Sequence, residues 1–253
     1  MVPGHALVTG GGSGIGRATA IALGDAGWRV TIVGRNVERL ETVRAERPAL
    51  LALQCDVGDE AAVANVVAAA SDRQGAIATL VNCAGSAQTA SFEKTSPETW
   101  DILWRTNVMG AVNATRAVLP GMRQLSAARI VNIASTASLK GYAYVSAYTA
   151  TKHALLGMTR ALAVELAGTA ITVNAVCPGY TDTDIIRGSI DTIVAKTGRS
   201  KDEALETFTR ANPQGRLIDP AEVASTVLWL LSDGARSITG QAIVVAGGEV
   251  MAG

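Results

Sequence analysis

The sequence predicts an α/β fold: a doubly wound parallel sheet of about seven strands with helices on both faces. Short apolar runs of strand length alternate with segments of helical length along the whole chain. Parallel strands need such helical crossovers, which are right-handed and therefore place helices on both faces of one sheet. Aromatic residues make up only 4% of the 253 residues, which suits close packing of helices on a sheet better than an aromatic-rich sandwich.

The predicted elements can be placed along the chain, and two helix starts carry capping chemistry. Ser96 and Asp219 each precede a proline at the first helical position, and Glu222 completes a capping box with Asp219. The predicted strands are residues 6–9, 29–33, 50–54, 79–81, 129–133, 172–176 and 242–245, and the predicted helices include residues 15–26, 60–70, 97–122, 147–166 and 220–231. No linker, repeat or low-complexity tract interrupts the pattern, so we expect a single domain over residues 1–253.

One stretch, residues 182–214, breaks the alternation by separating the sixth and seventh predicted strands. An insertion after a late strand lies over the carboxyl ends of the strands, where ligands bind. We therefore interpret it as a candidate substrate lid. Much of the chain's charge falls in it, at Arg187, Lys196, Arg199, Lys201, Glu203 and Arg210.

Charge and cysteine content exclude several classes of function. Lys plus Arg equal Asp plus Glu at 22 each, so no net field attracts nucleic acid or an anionic membrane. Cys55, Cys83 and Cys177 lack metal-ligand spacing, and they are interpreted as buried thiols of a cytoplasmic protein. With two histidines, a metal site is not expected. No leader peptide or apolar run of membrane-spanning length is recognised, so secretion and membrane insertion are not expected.

A glycine-rich segment at residues 9–16, T-G-G-G-S-G-I-G, follows the first predicted strand and leads into an apolar helix. Glycines allow a tight turn, and a helix N-terminus presents unpaired N–H groups to a pyrophosphate. The strict spacing G-x-G-x-x-G is not met, because Ile15 stands where the third glycine would fall when counting starts at Gly10. A flexible turn is the alternative interpretation, but the location favours a dinucleotide-binding site of the Rossmann type.

A second pattern places Tyr148 and Lys152 four residues apart on a predicted helix, so their side chains lie on one face. A phenol is a poor base near pH 7, and a nearby ammonium favours its phenolate. Ser135, at the end of the fifth predicted strand, can donate a hydrogen bond to a substrate oxygen near Tyr148. His153 does not complete a hydrolytic triad, because consecutive helix positions face about 100° apart and no G-x-S-x-G is present.

The ordered motifs resemble those of the short-chain dehydrogenase/reductase family over nearly the whole chain. Residues 9–16 resemble the family's T-G-x-x-x-G-I-G cofactor loop, residues 82–85 its N-N-A-G, and residues 178–183 its P-G-x-x-x-T segment. Ser135 and the Y-x-x-x-K pattern thirteen residues later also follow the family's order. Two positions depart from it: Cys83 replaces the second Asn, and Ala246 replaces the Asp of the commoner D-G-G.

The resemblance implies an oxidoreductase that exchanges a hydride with NAD(P) and a proton through Tyr148. In the family, Lys152 also binds the nicotinamide ribose, Asn107 secures a water that links Lys152 to solvent, and Asp56 contacts adenine. The implied catalytic residues are Asn107, Ser135, Tyr148 and Lys152. The implied cofactor-binding residues are Gly10, Ser13, Gly14, Ile15, Gly16, Arg35, Asp56, Val57, Asn82, Ala84, Gly85, Tyr148, Lys152, Pro178, Gly179, Thr181 and Thr183.

The substrate implied by the resemblance is a secondary alcohol or its ketone, as in 3-oxoacyl reductases and 3-hydroxyacyl or 3-hydroxybutyrate dehydrogenases. A cyclic or aromatic alcohol is an alternative, because one scaffold serves many substrates. A dinucleotide-binding sensor without chemistry is a third hypothesis, and the intact Ser135, Tyr148 and Lys152 argue against it.

Preference for NADP(H) over NAD(H) is predicted from the end of the second strand. Gly34 stands where NAD enzymes commonly place an acidic residue, and Arg35 follows it. A guanidinium can pair with the 2′-phosphate and stack on adenine. Ser13 stands where many NADP-binding relatives carry a second basic residue.

A homotetramer is also implied by the family, whose members pair the two long central helices, here residues 97–122 and 147–166, across a two-fold axis. Small residues such as Ala154, Gly157 and Ala161 permit close approach. The alternative is that these residues pack on the chain's own sheet.

Overall fold

The computed structural model describes residues 3–251, which form a seven-stranded parallel sheet in the order β3-β2-β1-β4-β5-β6-β7. The chain builds outward from β1 to β3 and then crosses to β4 on the other side, so a crevice opens at the carboxyl ends of β1 and β4. The predicted doubly wound sheet is confirmed. The strands are β1 His5–Thr9, β2 Arg29–Gly34, β3 Leu51–Gln54, β4 Ile77–Asn82, β5 Ala128–Ile133, β6 Ile171–Pro178 and β7 Ala242–Val245. The expectation of a single domain stays a prediction, and residues 1, 2, 252 and 253 lie outside the described range.

The helices begin where the capping residues predict. Ser96 accepts a hydrogen bond from the backbone N–H of Thr99, and Asp219 accepts one from Ala221 while Glu222 accepts one from Asp219. Across residues 3–251, no helix has both the length and the hydrophobicity to cross a membrane. The helices are α1 Gly14–Asp25, α2 Val37–Glu46, α3 Glu60–Gln74, α4 Pro97–Trp104, α5 Gly110–Met122, α6 Ser146–Leu166, α7 Asp184–Thr197, α8 Lys201–Thr209 and α9 Pro220–Leu230.

The predicted continuous helix over residues 97–122 is wrong in one respect. A π-helical turn, Arg105–Met109, separates α4 from α5. Such turns insert one extra residue per turn and occur frequently at functional sites. Its middle residue is Asn107, one of the four predicted catalytic residues.

Apolar side chains cover both faces of the sheet because successive strand residues point to opposite sides. Val8 packs in the cluster that includes α1 and α9, whereas its neighbour Leu7 packs in the cluster that includes α3, α5 and α6. Each fully buried Leu, Ile or Val stabilises the fold by about 1.5–3 kcal/mol relative to an exposed one.

The strand register aligns the carboxyl ends of the central strands. Thr9 of β1 pairs with Asn82 of β4, Asn82 with Asn132 of β5, and Asn132 with Ala175 of β6. The segments that follow these strands therefore leave the sheet side by side, which brings together motifs far apart in the sequence.

Candidate active site

The glycine loop packs directly against the loop that follows β4. Gly10 has φ +68°, and a Cβ built on it would lie 2.9 Å from the Cα atom of Ala84. A Cβ on Gly16 would lie 2.2 Å from the carbonyl oxygen of Gly10. Only glycine satisfies both positions, and the resulting turn leaves the first N–H groups of α1 at the crevice.

Thr9 fastens these two loops together, a role that sequence reasoning missed. Its hydroxyl oxygen accepts hydrogen bonds of 3.0 Å from the backbone N–H groups of Cys83 and Ala84. The threonine of the T-G motif could have signalled this contact, since a short hydroxyl side chain before a tight turn commonly binds nearby backbone.

Asn82 faces the protein interior. Its Nδ2 donates to Oδ1 of Asn132 at 2.9 Å, and Nδ2 of Asn132 donates to Oγ1 of Thr159 in α6 at 2.8 Å. All three residues are buried. This polar chain ties β4, β5 and α6 together, and α6 carries Tyr148 and Lys152. Sequence reasoning missed Asn132 and Thr159, and the part of Asn82 in cofactor binding stays a prediction.

Lys152 is the buried centre of the predicted catalytic group. Its Nζ donates to the carbonyl oxygen of Ile133 at 2.9 Å, two residues before Ser135, and lies 5.7 Å from the ring centroid of Tyr148. A Cβ built on Gly85 would lie 3.7 Å from the same Nζ. The Ser135 hydroxyl oxygen accepts from the backbone N–H of Ala137, so its own proton stays available to a substrate.

Asn107 holds the loop after β4 against the start of α6. Its Oδ1 accepts from the backbone N–H of Ser86 at 2.8 Å, and its Nδ2 donates to the carbonyl oxygen of Ser86 and to Oγ1 of Thr151. The Thr151 hydroxyl in turn donates to the carbonyl oxygen of Tyr148 at 2.7 Å. The side chain of Asn107 thus positions the turn of α6 that carries Tyr148, and its part in a proton relay stays a prediction.

The residues predicted for the adenosine end lie beyond β2 and β3. Arg35 is exposed and has no ion-pair partner within residues 3–251. Asp56 accepts from the backbone N–H of Gly58 at 2.9 Å and lies 3.7 Å from Arg105. The carbonyl oxygen of Val57 accepts from Asn113 of α5. The loop after β3 is therefore fixed, while the guanidinium of Arg35 is free to bind an anion.

The predicted nicotinamide segment, residues 178–183, crosses from β6 to the glycine loop. The backbone N–H of Gly179 donates to Val245 of β7, and the Thr181 hydroxyl donates to the carbonyl oxygen of Gly179. A Cβ built on Gly14 would lie 3.0 Å from Cγ2 of Thr183. The segments predicted for the two ends of a dinucleotide thus border one crevice, and the glycine cradle at the N-terminus of α1 fits a pyrophosphate.

The candidate lid consists of α7 and α8, which the sequence did not assign. No residue of α7, all of which is described, is buried, and α8 buries only Ala204. Asp184 at the start of α7 forms an ion pair of 3.1 Å with Arg39 of α2. The candidate lid is thus attached at its base but buries few residues along its length.

The cysteines are unsuited to nucleophilic chemistry. Burial raises the pKa of Cys83 to about 12 and that of Cys177 to about 11, with the nearby charge of Lys152 opposing both shifts. Burial also raises the pKa of Cys55 to about 11. The thiols therefore stay protonated near neutral pH. The predicted burial is correct for Cys55 and Cys177, whereas Cys83, counted with its backbone, is only half-buried.

Comparisons with known proteins agree with this geometry. A family model described as short chain dehydrogenase matches residues 4–212. The chain is 42% identical over 249 residues to a monensin polyketide synthase putative ketoacyl reductase of Streptomyces virginiae, covering 96% of this chain and 95% of that protein. It is 38% identical over 245 residues to an acetoacetyl-CoA reductase of Shinella zoogloeoides, covering 96% and 97%.

The crystal structure of a substituted actinorhodin polyketide ketoreductase with NADPH is similar in fold. It superposes with a TM-score of 0.93 at 38% identity, covering 98% of this chain and 97% of that one. The predicted family and oxidoreductase class are confirmed. This chain belongs to the short-chain dehydrogenase family and is an NAD(P)-dependent oxidoreductase that interconverts a secondary alcohol and a ketone.

Proposed function

We propose that the chain is an NADPH-dependent reductase of 3-oxoacyl thioesters or related 3-oxo compounds. The observation that carries the proposal is the packing of Lys152, whose buried ammonium lies between the end of β5 and the ring of Tyr148. The similarity to ketoacyl and acetoacetyl-CoA reductases supports the substrate class.

In this mechanism Tyr148 donates its phenolic proton to the substrate oxygen as the ketone is reduced. Bound nicotinamide supplies the hydride. Ser135 donates a hydrogen bond to the same oxygen and holds it beside Tyr148. The ammonium of Lys152 stabilises the phenolate that Tyr148 becomes, and Asn107 keeps the turn of α6 that carries Tyr148 in place.

A cyclic or aromatic ketone is the second candidate substrate, and a row of aromatic rings favours it. Tyr142 and Tyr180 meet edge to face with ring centroids 6.0 Å apart, and Tyr180 meets Phe208 of α8 at 5.1 Å. Flat substrates pack well against such rings.

A turnover screen tests these proposals. Purified protein is mixed with NADPH and with an acetoacetyl thioester, a cyclic ketone or an aromatic ketone, and the absorbance of the reduced nicotinamide is followed. We expect turnover of the thioester, with Tyr148→Phe as the inactive control. Turnover of only the ring ketones would favour the second candidate, and NADPH binding without turnover on any ketone would favour a sensor.

We also propose that Arg35 makes NADP(H) the preferred cofactor. A partly exposed contact of about 1–3 kcal/mol with the 2′-phosphate corresponds to about five- to hundred-fold discrimination. Arg35→Ala should abolish the preference and Gly34→Asp should reverse it. A Cβ on Gly34 meets only Leu40 at 3.6 Å, so the new side chain fits.

The measurement is kcat/KM with each cofactor. Arg44→Ala is the matched control, since Arg44 is an exposed arginine on α2 paired with Glu41, and it should leave the ratio unchanged. Equal or better use of NAD(H) by the wild-type protein would refute the preference.

We further propose that residues 182–214 close over the substrate and that the protein acts as a cytoplasmic homotetramer. The contact between Phe208 and Tyr180 supports the lid. The exposed small residues Gly157 and Ala161 on α6 support the assembly, and three free cysteines are compatible with a reducing compartment.

A further inference from the structure

A buried carboxylate lies near the loop that carries Ser135, outside the four predicted catalytic residues. The side chain of Glu249, four residues beyond β7, is only 2% exposed. Its Oε1 accepts a hydrogen bond from the Tyr142 hydroxyl and lies 3.2 Å from Nζ of Lys140. Its Oε2 has no hydrogen-bond partner within residues 3–251 and faces Gly179, where a built Cβ would lie 3.0 Å away. A carboxylate is buried at a cost unless it is paired, so these partners determine its position.

Tyr142 connects Glu249 to the loop that carries Ser135. Its hydroxyl lies 2.7 Å from Oγ1 of Thr136, the residue after Ser135. Because the phenol donates its one proton to Glu249, Thr136 donates to the phenol oxygen. The ammonium of Lys140 lies 4.7 Å from the centroid of the Tyr142 ring, a cation–π contact. Two kinds of contact therefore hold the ring: the hydrogen bonds at its hydroxyl and the Lys140 ammonium over its face.

The ring of Tyr142 forms a wall with Tyr180. The two rings pack edge to face at 72°, and Tyr180 packs in the same way against Phe208 of α8. Burial, followed by the charges of Glu249 and Tyr148, raises the pKa of Tyr180. The wall runs from the C-terminal segment to the candidate lid, and Thr136 joins it to the loop that carries Ser135.

We propose that Glu249 is a positioning residue that fixes the substrate-side wall by holding Tyr142 and Lys140. The proposal rests on the ketone-reducing function above. Glu249 acts through Tyr142 on substrate placement and does not touch the predicted catalytic groups. Its removal should therefore raise the KM for the ketone while the KM for NADPH stays within about two-fold.

The test compares Glu249→Ala, Glu249→Gln, Tyr142→Phe and the double variant Glu249→Ala/Tyr142→Phe. Loss of a charge-assisted hydrogen bond predicts an increase of about 10- to 100-fold in the ketone KM for Glu249→Ala. Glu249→Gln retains an acceptor for Tyr142 and should recover most of this loss. Glu41→Ala, which removes an exposed ion-paired carboxylate on α2, is the control and should change neither KM.

Two outcomes separate positioning from a merely structural role. If Glu249 acts through Tyr142, the double variant is no worse than Glu249→Ala alone. An unchanged ketone KM, or equal changes in the ketone and NADPH KM values, overturns the proposal. If Glu249→Ala does not fold, Tyr142→Phe carries the same prediction, because it keeps the ring and removes only the hydroxyl.

Urea unfolding of the wild type, Glu249→Ala, Tyr142→Phe and the double variant gives a readout that needs no substrate. If the effects of the Glu249 and Tyr142 substitutions on the free energy of unfolding simply add, the proposed contact between Glu249 and Tyr142 is overturned. Wild-type protein that reduces no ketone overturns the proposed function instead, and the unfolding cycle still decides whether Glu249 holds Tyr142.

Discussion

At the scale of single residues, the role proposed for Tyr148 depends on the groups that surround its hydroxyl. Lys152 lies one helical turn further along α6 and is held by the carbonyl oxygen of Ile133. Asn107 holds the same turn through Thr151. A side chain whose neighbours are already fixed needs little reorganisation when a substrate binds.

Tyr148→Phe should lower kcat by about 10²- to 10⁴-fold or more, because it removes the proton donor and keeps the ring. NADPH affinity should stay within about three-fold of wild type, since the ring packing persists. Steady-state kinetics and a fluorescence titration with NADPH measure the two quantities. Residual kcat above a tenth of wild type would place the proton donor elsewhere.

His5 makes the stability of the fold depend on pH. It is fully buried in β1, with Nδ1 2.7 Å from the carbonyl oxygen of Gly75 and Nε2 2.8 Å from Oγ1 of Thr31. Burial lowers its pKa below the ordinary value of 6.5, against the opposing effect of the Gly75 hydrogen bond. The unfolded chain then binds a proton that the folded chain does not. The contribution of His5 to stability is therefore complete above about pH 6.5 and is lost as the pH falls toward the lowered pKa.

Urea unfolding at a series of pH values should show the free energy of unfolding falling over this window. His5→Gln should remove that component of the slope. His153→Gln is the matched control, since it removes the chain's other imidazole, which is exposed on α6. A slope that is the same in wild type and His5→Gln would contradict the prediction.

At the scale of elements, the helices of this protein differ in how much they bury. α6 buries eight side chains, among them Lys152 and Thr159, whereas α7 buries none. Local opening is easiest where few buried contacts are lost. We therefore expect α6 to hold the proposed catalytic groups rigidly and α7 to open more readily.

Amide hydrogen exchange should be faster in α7 than in α6, and a bound substrate with NADPH should slow exchange in α7 and α8. Mass spectrometry of peptides from these helices measures both effects, with α5, which packs on the same face of the sheet as α6 and buries seven residues, as the internal reference. Equal protection of α6 and α7 in the free protein would argue against a moving lid.

At the scale of the whole molecule, the outer face of α6 is unusual for a surface helix. Gly157 and Ala161 are exposed, and a Cβ built on Gly157 meets nothing within 4 Å. Gly157 and Ala161 therefore do not pack on the chain's own sheet, whereas Ala154 is half-buried, so the alternative interpretation stays open for that residue. On α4, Ile102 and Trp104 are 52% and 44% exposed. Apolar and small residues on one surface are typical of a contact between subunits.

Light scattering at micromolar concentration should give the mass of four chains. Ala161→Arg places a charged side chain on the exposed face of α6 and should lower the mass to that of a dimer or monomer. Ala64→Arg makes the same change on an exposed position of α3 and should leave the mass unchanged. A monomer mass for the wild-type protein would exclude the assembly.

The sequence by itself determined the features that depend on short spacing. The alternation of apolar runs specified the parallel sheet, and the glycines at 10 and 16 specified a turn that no other residue fits. The four-residue spacing of Tyr148 and Lys152 specified a shared helix face. Each of these follows from the geometry of one element and its neighbour, which sequence reasoning can supply.

The tertiary structure alone decided the contacts between distant segments. No local sequence pattern predicts that Glu249 binds Tyr142, 107 residues earlier, or that Thr9 binds the backbone at Cys83. The π-helical turn at Asn107 was also hidden, because its extra residue is stabilised by bonds to Ser86 and Thr151 rather than by its own sequence. Such contacts depend on how the sheet brings the carboxyl ends of its strands together, and that arrangement exists only once the whole core has packed.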